Sequence, residues 1–126
     1  KLNGAIGNWE RAQGSALMEE WLNNYDNIDL VISNNDDMGL GAIDAIERNN
    51  NIKGIKVVGI DGTKEALEAI NEGKLLGTIE SDKKEYAKAV VEIAMHSIGK
   101  SDLPDDVNVK LMENRTYDVR QIPRVK

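Results

Sequence analysis

The sequence predicts an α/β lobe built on a parallel sheet. Asp29-Leu-Val-Ile-Ser-Asn-Asn-Asp36 and Lys56-Val-Val-Gly-Ile-Asp-Gly-Thr63 repeat one design: a mainly β-branched or apolar run ends abruptly in polar side chains. Each is followed by helical spacing, and a third apolar run, Leu75 to Ile79, comes after the second helical segment. Strand, helix, strand, helix, strand in that order makes a parallel sheet with right-handed crossovers. Strands of such a sheet are buried, and ligands bind outside their carboxyl ends.

Each element has its own signal. Residues 9 to 23 read as a helix, with Leu17 and Trp21, and Met18 and Leu22, as i,i+4 pairs and Asn23-Asn24 as the stop. Residues 29 to 33 form a strand. The next helix runs from about Asp37 to Arg48 with Leu40, Ile43 and Ile46 toward the sheet, and Asn49-Asn50-Asn51 closes it. Strand 56 to 60 follows. Thr63 is the N-cap of a short helix over 64 to 71, which Gly73 ends. Leu75 to Ile79 is the third strand. Asp82 with Glu85 three residues on resembles a capping box, opening a helix to Ile98 that Gly99 terminates. Residues 100 to 106 read as a loop around Pro104. Asn108 to Met112 and Thr116 to Ile122 show weak strand alternation, and Pro123 marks an edge or exit. A doubly wound domain normally has five or six strands in its sheet, phenylalanine is absent and aromatics make up 4 % of the chain. The chain therefore reads as part of something larger.

Composition narrows the function. The 126 residues, 40 % of them hydrophobic, suffice for one domain with a core. A formal charge of −6 argues against a nucleic-acid surface, which needs a clustered basic face. No apolar run approaches the roughly 20 residues that span a bilayer. The chain begins Lys1-Leu2-Asn3 rather than with methionine, which fits a mature protein or an excised piece. The absence of cysteine excludes disulfides, thiolate catalysis and Cys-ligated zinc. The single histidine, His96, falls in the last helical pattern beside Tyr86, Val90, Ile93 and Ala94 and reads as a surface or boundary residue. A catalytic triad or a two-histidine metal site would have to be built without it. A hydrolase using Asp36 and Asp61 as acid and base lacks a nucleophile motif, and Gly39-Leu-Gly41 lacks the third glycine of a phosphate cradle. The expectation is a protein that is not an enzyme. Nothing fixes a ligand count for a cation at Asp36, Asp37 and Asp61, so no metal is assigned.

The polar strand ends remain as the candidate site. Two neighbouring parallel strands would bring Asn35 and Asp61 to one edge. One N-cap needs one side chain and three are offered, and capping is assigned more readily to Asn34 or Asp36 than to Asn35. Trp9 stands before the first helix, after the loop-like Asn3-Gly-Ala-Ile-Gly-Asn8, whereas Trp21 sits among Leu17, Met18 and Leu22 and reads as core. An indole face beside an amide and a carboxylate suits a sugar: the ring packs on an apolar C–H patch, and the polar groups pair with vicinal hydroxyls. Such a site rejects analogues lacking a hydroxyl, because its own polar groups would be left unpaired.

At these residues the chain resembles the periplasmic sugar-binding proteins of ABC transporters, in particular the glucose/galactose-binding type. The matching stretches are Trp9-Glu-Arg-Ala-Gln13, Val31-Ile-Ser-Asn-Asn-Asp36 with Met38 and Gly41-Ala42, Val58-Gly-Ile-Asp61, and Glu65-Ala-Leu67 running on to Gly73 and Gly77-Thr78. The resemblance runs from Trp9 to about Met95, and the tail matches loosely. It implies two similar α/β lobes joined by three crossovers and closing on one sugar, a fold incomplete in this chain. Residues 1–82 would belong to the second, carboxyl-terminal lobe. Residues 83–115 would be a helix and strand segment packing on the missing first lobe, and 116–126 would return to the second.

By matching position, Trp9 would stack on the sugar while Asn35 and Asp61 bond hydroxyls. The family's next contact, an asparagine, falls on Ser81, which is shorter and lacks the amide's fixed donor–acceptor pair. No cofactor is implied. Some members bind calcium with a loop and a distant glutamate at whose position Asp29 stands, but the loop lies outside this chain. The implied function is a receptor that captures a glucose- or galactose-like hexose by lobe closure and delivers it to ABC permease subunits or a chemoreceptor. Its place would be the periplasm, or the outer membrane face as a lipoprotein in a single-membrane bacterium. The rival reading is the effector-binding core of a sugar-responsive, LacI-type transcriptional repressor, which shares the fold and would carry a helix-turn-helix. Trp9 and the Val58-Gly-Ile-Asp-Gly62 ending favour the receptor.

Overall fold

The computed structural model describes residues 3–49, 54–100, 109–111, 117–119 and 121–125. They form α1 (Arg11–Asn24), β1 (Leu30–Ile32), α2 (Asp36–Arg48), β2 (Lys56–Ile60), α3 (Lys64–Asn71), β3 (Gly77–Ser81), α4 (Lys83–Ser97), β4 (Val109–Leu111), β5 (Tyr117–Val119) and β6 (Gln121–Val125). The chain divides into two compact units, Lys1–Glu80 with Pro123–Lys126, and Ser81–Ile122.

In the first unit the sheet order is β1-β2-β3-β6. β1 and β2 are parallel, with Leu30 opposite Lys56 and Ile32 opposite Val58, and β3 is parallel to β2, with Val58 opposite Gly77 and Ile60 opposite Ile79. The parallel sheet expected from the strand–helix alternation is therefore present. Pro123 lies in β6, the edge strand at the β3 side, the kind of strand in which proline is tolerated.

The core lies between this sheet and the helices. Val31 and Val57 point into it with Met18, Leu40, Ala42, Ile43, Ala45, Ala66, Ala69, Ile70 and Leu75, and Trp21 and Ile46 pack at its rim. α1 and α2 cross at glycines. A Cβ on Gly41 would stand 2.0 Å from the Arg11 carbonyl oxygen, and one on Gly14 would stand 2.4 Å from that of Met38. Only residues without a side chain let the two backbones approach so closely. The other sheet face differs from the expected burial: Leu30, Ile32 and Ile60 are exposed. Alternation puts them opposite Val31, Val57 and Gly59, and among the described residues of this unit no helix covers them.

Several boundaries shift by one or two residues, among them the end of β3, which is Ser81 rather than Ile79, and two of the shifts have a visible cause. The first helix begins at Arg11 rather than residue 9, because Asn8 (φ +50°) and Trp9 (φ +67°) adopt left-handed backbone, closed by a Glu10 N–H to Gly7 carbonyl bond of 3.0 Å. β3 begins at Gly77 rather than Leu75, because the Lys74 and Leu75 amides both donate to the Ala69 carbonyl and finish α3. The expected caps hold: Thr63 accepts from the Ala66 amide at 3.2 Å, and Asp82 from Lys84 and Glu85 at 3.1 Å.

In the second unit β4 and β5 pair antiparallel, Val109 opposite Val119 and Leu111 opposite Tyr117, and α4 neighbours β5. On α4, Ala89 is buried while Tyr86, Val90, Val91, Met95 and Ile98 beyond its end are exposed. His96 is exposed as well. Most of the expected loop over 100–106, and the outer residues of the two tail strands, lie outside the described residues.

Candidate functional site

β1 and β2 end at the same edge. Ladder bonding continues past them, with the Ser33 amide on the Val58 carbonyl at 2.9 Å and the Asp61 amide on that of Ile79 at 2.8 Å. Asn35 and Asp61 thus leave adjacent parallel strands together. The Ser33 hydroxyl donates to the Asn35 carbonyl at 2.7 Å and fixes the corner between β1 and α2.

Asn35 is only 8 % exposed and is itself the N-cap of α2. Its Oδ1 accepts from the Met38 amide at 3.0 Å, and its Nδ2 donates to the Trp9 carbonyl at 3.0 Å. This reverses the expected division of labour among the three polar residues. Asn34 is exposed, Asn35 caps, and Asp36 is fully buried at the first helical position. Asn35 is the last residue with extended backbone (φ −147°, ψ 166°), which is the conformation a capping side chain needs.

Trp9 is 64 % exposed, its backbone clamped by Asn35. Asp61 is exposed and sits at φ +122°, a region that costs a non-glycine residue roughly 1–3 kcal/mol. Gly62 follows at φ +66° and is buried against Glu80, where a Cβ would meet the Glu80 side chain at 2.6 Å. Ser81 is the last residue of β3 and the first of the second unit.

The residues that hold this turn were not singled out as such by their sequence. Asp36 Oδ1 accepts from the Thr78 hydroxyl at 2.6 Å and Oδ2 from the Thr63 amide at 2.8 Å. Thr78 Oγ1 in turn accepts from the Gly62 amide at 3.3 Å. Gly59 makes the room, since a Cβ there would stand 2.3 Å from Asp36 Oδ1. A glycine inside a β-branched strand is the available signal, as it marks a close approach. Among the described residues no three His, Asp or Glu side chains gather that could hold a metal ion.

Beside this edge a small cavity of about 80 Å³ is lined by Gly7, Leu17, Ser33, Asn34 and Met38 among others. A larger one, about 330 Å³, opens at the opposite end of β1 beside Trp21, Tyr25 and Asp29. It contains none of the candidate residues and lies at the amino ends, away from where such sheets bind ligands.

Comparison with known proteins places the fold. The D-galactose/methyl-galactoside binding periplasmic protein MglB of Haemophilus influenzae is 36 % identical over 90 residues, which are 70 % of this chain and 27 % of that protein. An ABC transporter solute binding protein from Bacillus halodurans, solved with bound myo-inositol, is 43 % identical with a TM-score of 0.66 over 74 % of this chain and 32 % of its own. A periplasmic solute binding protein from Actinobacillus succinogenes, solved with bound D-allose, superposes with a TM-score of 0.76 over 93 % of this chain and 37 % of its own, at 27 % identity. The chain thus spans between 27 % and 37 % of the length of these relatives. Residues 2–101 match the Periplasmic binding protein domain, and the chain belongs to that family.

Proposed function

We propose that the carboxyl edge of β1 and β2 is one wall of a sugar site in a two-lobed solute receptor, a binding protein and not an enzyme. The observation that carries this reading is the Asn35–Trp9 clamp, in which the capping amide at the strand ends fixes the backbone of an exposed tryptophan. Asn35 spends one N–H and one lone pair internally and keeps one of each for a ligand hydroxyl. Asp61 supplies a carboxylate acceptor from the neighbouring strand end, Trp9 a stacking face, and Ser81 a hydroxyl.

The ligand proposed is a hexose of glucose or galactose type. Galactose, myo-inositol and allose, named for the three relatives, are all six-carbon polyols. Capture works by closure: contacts to both lobes exist only in the closed state, so the sugar stabilises it. The closed receptor then delivers the sugar outside the cytoplasm to ABC permease subunits or a chemoreceptor. Residues 1–82 and 116–126 belong to the second lobe, while 83–115 pack on an amino-terminal lobe. The break between the units at Glu80 and Ser81, the return of Pro123–Lys126 to the first unit and the exposed apolar side chains of α4 support that assignment.

Isothermal titration of the full-length protein with D-galactose, D-glucose, D-ribose and myo-inositol tests the reading. A hexose should bind, and Trp9→Ala and Asp61→Ala should each weaken it about tenfold or more, the scale of a lost charged hydrogen bond or stacking contact. Hexose silence, or affinity unmoved by both substitutions, would overturn it.

A further inference from the structure

Asp61 stands one residue before Gly62 and two before Thr63, and the amides of both are bonded from one source. Thr63 N–H donates to Asp36 Oδ2 at 2.8 Å, and Gly62 N–H donates to Thr78 Oγ1 at 3.3 Å while the Thr78 hydroxyl donates to Asp36 Oδ1 at 2.6 Å. Asp36 is 0 % exposed and Thr78 2 %. A buried carboxylate accepting hydroxyl and amide hydrogens makes strong, directional bonds, and water does not compete for them. The chain of donors has one polarity, from the two amides and the hydroxyl toward the carboxylate. Only an acceptor on both oxygens of residue 36 satisfies it.

Strain is stored in the backbone just before these bonds. Asp61 holds φ +122°, a conformation that persists when the surroundings over-determine it, and Gly62 follows at φ +66°, which glycine adopts freely. Released, Asp61 would relax toward ordinary extended backbone, and its side chain would leave the chain in a different direction.

We infer that Asp36, acting through Thr78 and the Thr63 amide, is the positioning residue that sets the Asp61 carboxylate at the ligand edge. Asp36 is too deeply buried to touch a ligand itself. The inference rests on the proposed role of Asp61, and the experiment separates the two.

Amide hydrogen exchange on the full-length protein reads the turn without any ligand, and calorimetry with D-galactose and myo-inositol reads the site. Thr78→Val, nearly isosteric, removes the hydroxyl. Asp36→Asn presents a donor where an acceptor is needed, and Thr78→Ser restores the hydroxyl. Thr78→Val and Asp36→Asn should speed exchange of the Gly62 and Thr63 amides at least tenfold while core amides such as Val57 hold their rates. They should weaken sugar binding at least tenfold, and Thr78→Ser should stay within about twofold of wild type in both. Unchanged exchange and affinity in both disrupting variants, with Asp61→Ala still losing sugar, would overturn the positioning role and leave the proposed site standing. Exchange rising equally at Val57 would overturn it too, as a general loss of stability. Sugar affinity surviving Asp61→Ala would bring down the proposed site and the positioning role with it.

Discussion

The side-chain amide of Asn35 joins the start of α2 to the backbone of Trp9, accepting from the Met38 amide and donating to the Trp9 carbonyl, both at 3.0 Å. The two functions separate by substitution. Asn35→Asp keeps a capping acceptor but loses the donor to Trp9, whereas Asn35→Ala loses both. In a Trp21→Phe background, Asn35→Asp should lower the fluorescence anisotropy of Trp9 and leave the unfolding midpoint nearly unchanged. Asn35→Ala should lower both, at a cost of about 1 kcal/mol for the cap. Equal anisotropy in all three proteins would show that Trp9 is held by something other than Asn35.

Gly41 gives a second, purely steric prediction. Its missing side chain lets α1 lie on α2, and a Cβ would stand 2.0 Å from the Arg11 carbonyl oxygen and 2.9 Å from the Ser15 amide nitrogen. Both are backbone atoms, so relief requires the helices to part. Gly41→Ala should destabilise the full-length protein by about 1–3 kcal/mol, despite alanine's better helix propensity. Gly4→Ala, with nothing within 4 Å of the added carbon, is the control and should be neutral. Denaturant midpoints measure both.

These cases show what the chain made legible and what it did not. Thr63 and Asp82 were readable as caps because their partners lie two or three residues away. The parallel order followed from alternating strands and helices. The role of Asn35 was hidden, because three successive polar residues could each cap and only the point where extended backbone ends decides between them. Asp36 was harder still: its partner Thr78 lies 42 residues on, and no local pattern encodes that meeting. The left-handed turn at Asn8 and Trp9 escaped because tryptophan has no preference for it, so helical spacing was extended two residues too far. The open sheet face was invisible for a similar reason, since Leu30 and Ile32 are as apolar as the buried Val31 between them.

Acid should weaken the tie between α1 and α2. Arg11 Nε and Nη2 donate to the two Asp44 oxygens at 2.7 and 3.0 Å, and Nη1 donates to Glu65 at 2.9 Å. The hydrogen bond from Arg11 holds the Asp44 carboxyl below the usual carboxylate range, against a smaller opposing effect of burial. A folded-state pKa below the unfolded one means that stability is fully present above about pH 4 and is lost as pH falls through the lower folded value. The side chains are 44 % and 34 % exposed, so solvent screening limits the contribution to about 1 kcal/mol or less. Asp44→Asn should therefore be less stable than wild type near pH 7 by about that much, and the difference should close as pH falls through the lowered folded-state pKa. Raised salt should shrink the neutral-pH difference. A gap that persists in acid would assign the effect to packing instead.

The exposed apolar side chains of α4 lead to a prediction whose sign depends on how much of the protein is present. Tyr86, Val90, Val91, Met95 and Ile98 stand in solvent here, and so do Leu30 and Ile32 on the open sheet face. Exposed apolar surface of this kind on each unit marks a partner or an aggregation liability. The 126-residue chain alone should bind a hydrophobic dye and self-associate in sedimentation. Val90→Lys with Val91→Lys should reduce both without lowering its unfolding midpoint, since neither valine is buried within the chain. In the full-length protein the same pair should be destabilising, by roughly 1.5–3 kcal/mol for each valine buried against the amino-terminal lobe. If the isolated chain is instead monomeric, dye-silent and cooperatively folded, its exposed faces need no cover and residues 83–115 do not pack on another lobe. If the double substitution is neutral in the full-length protein as well, α4 faces solvent there too.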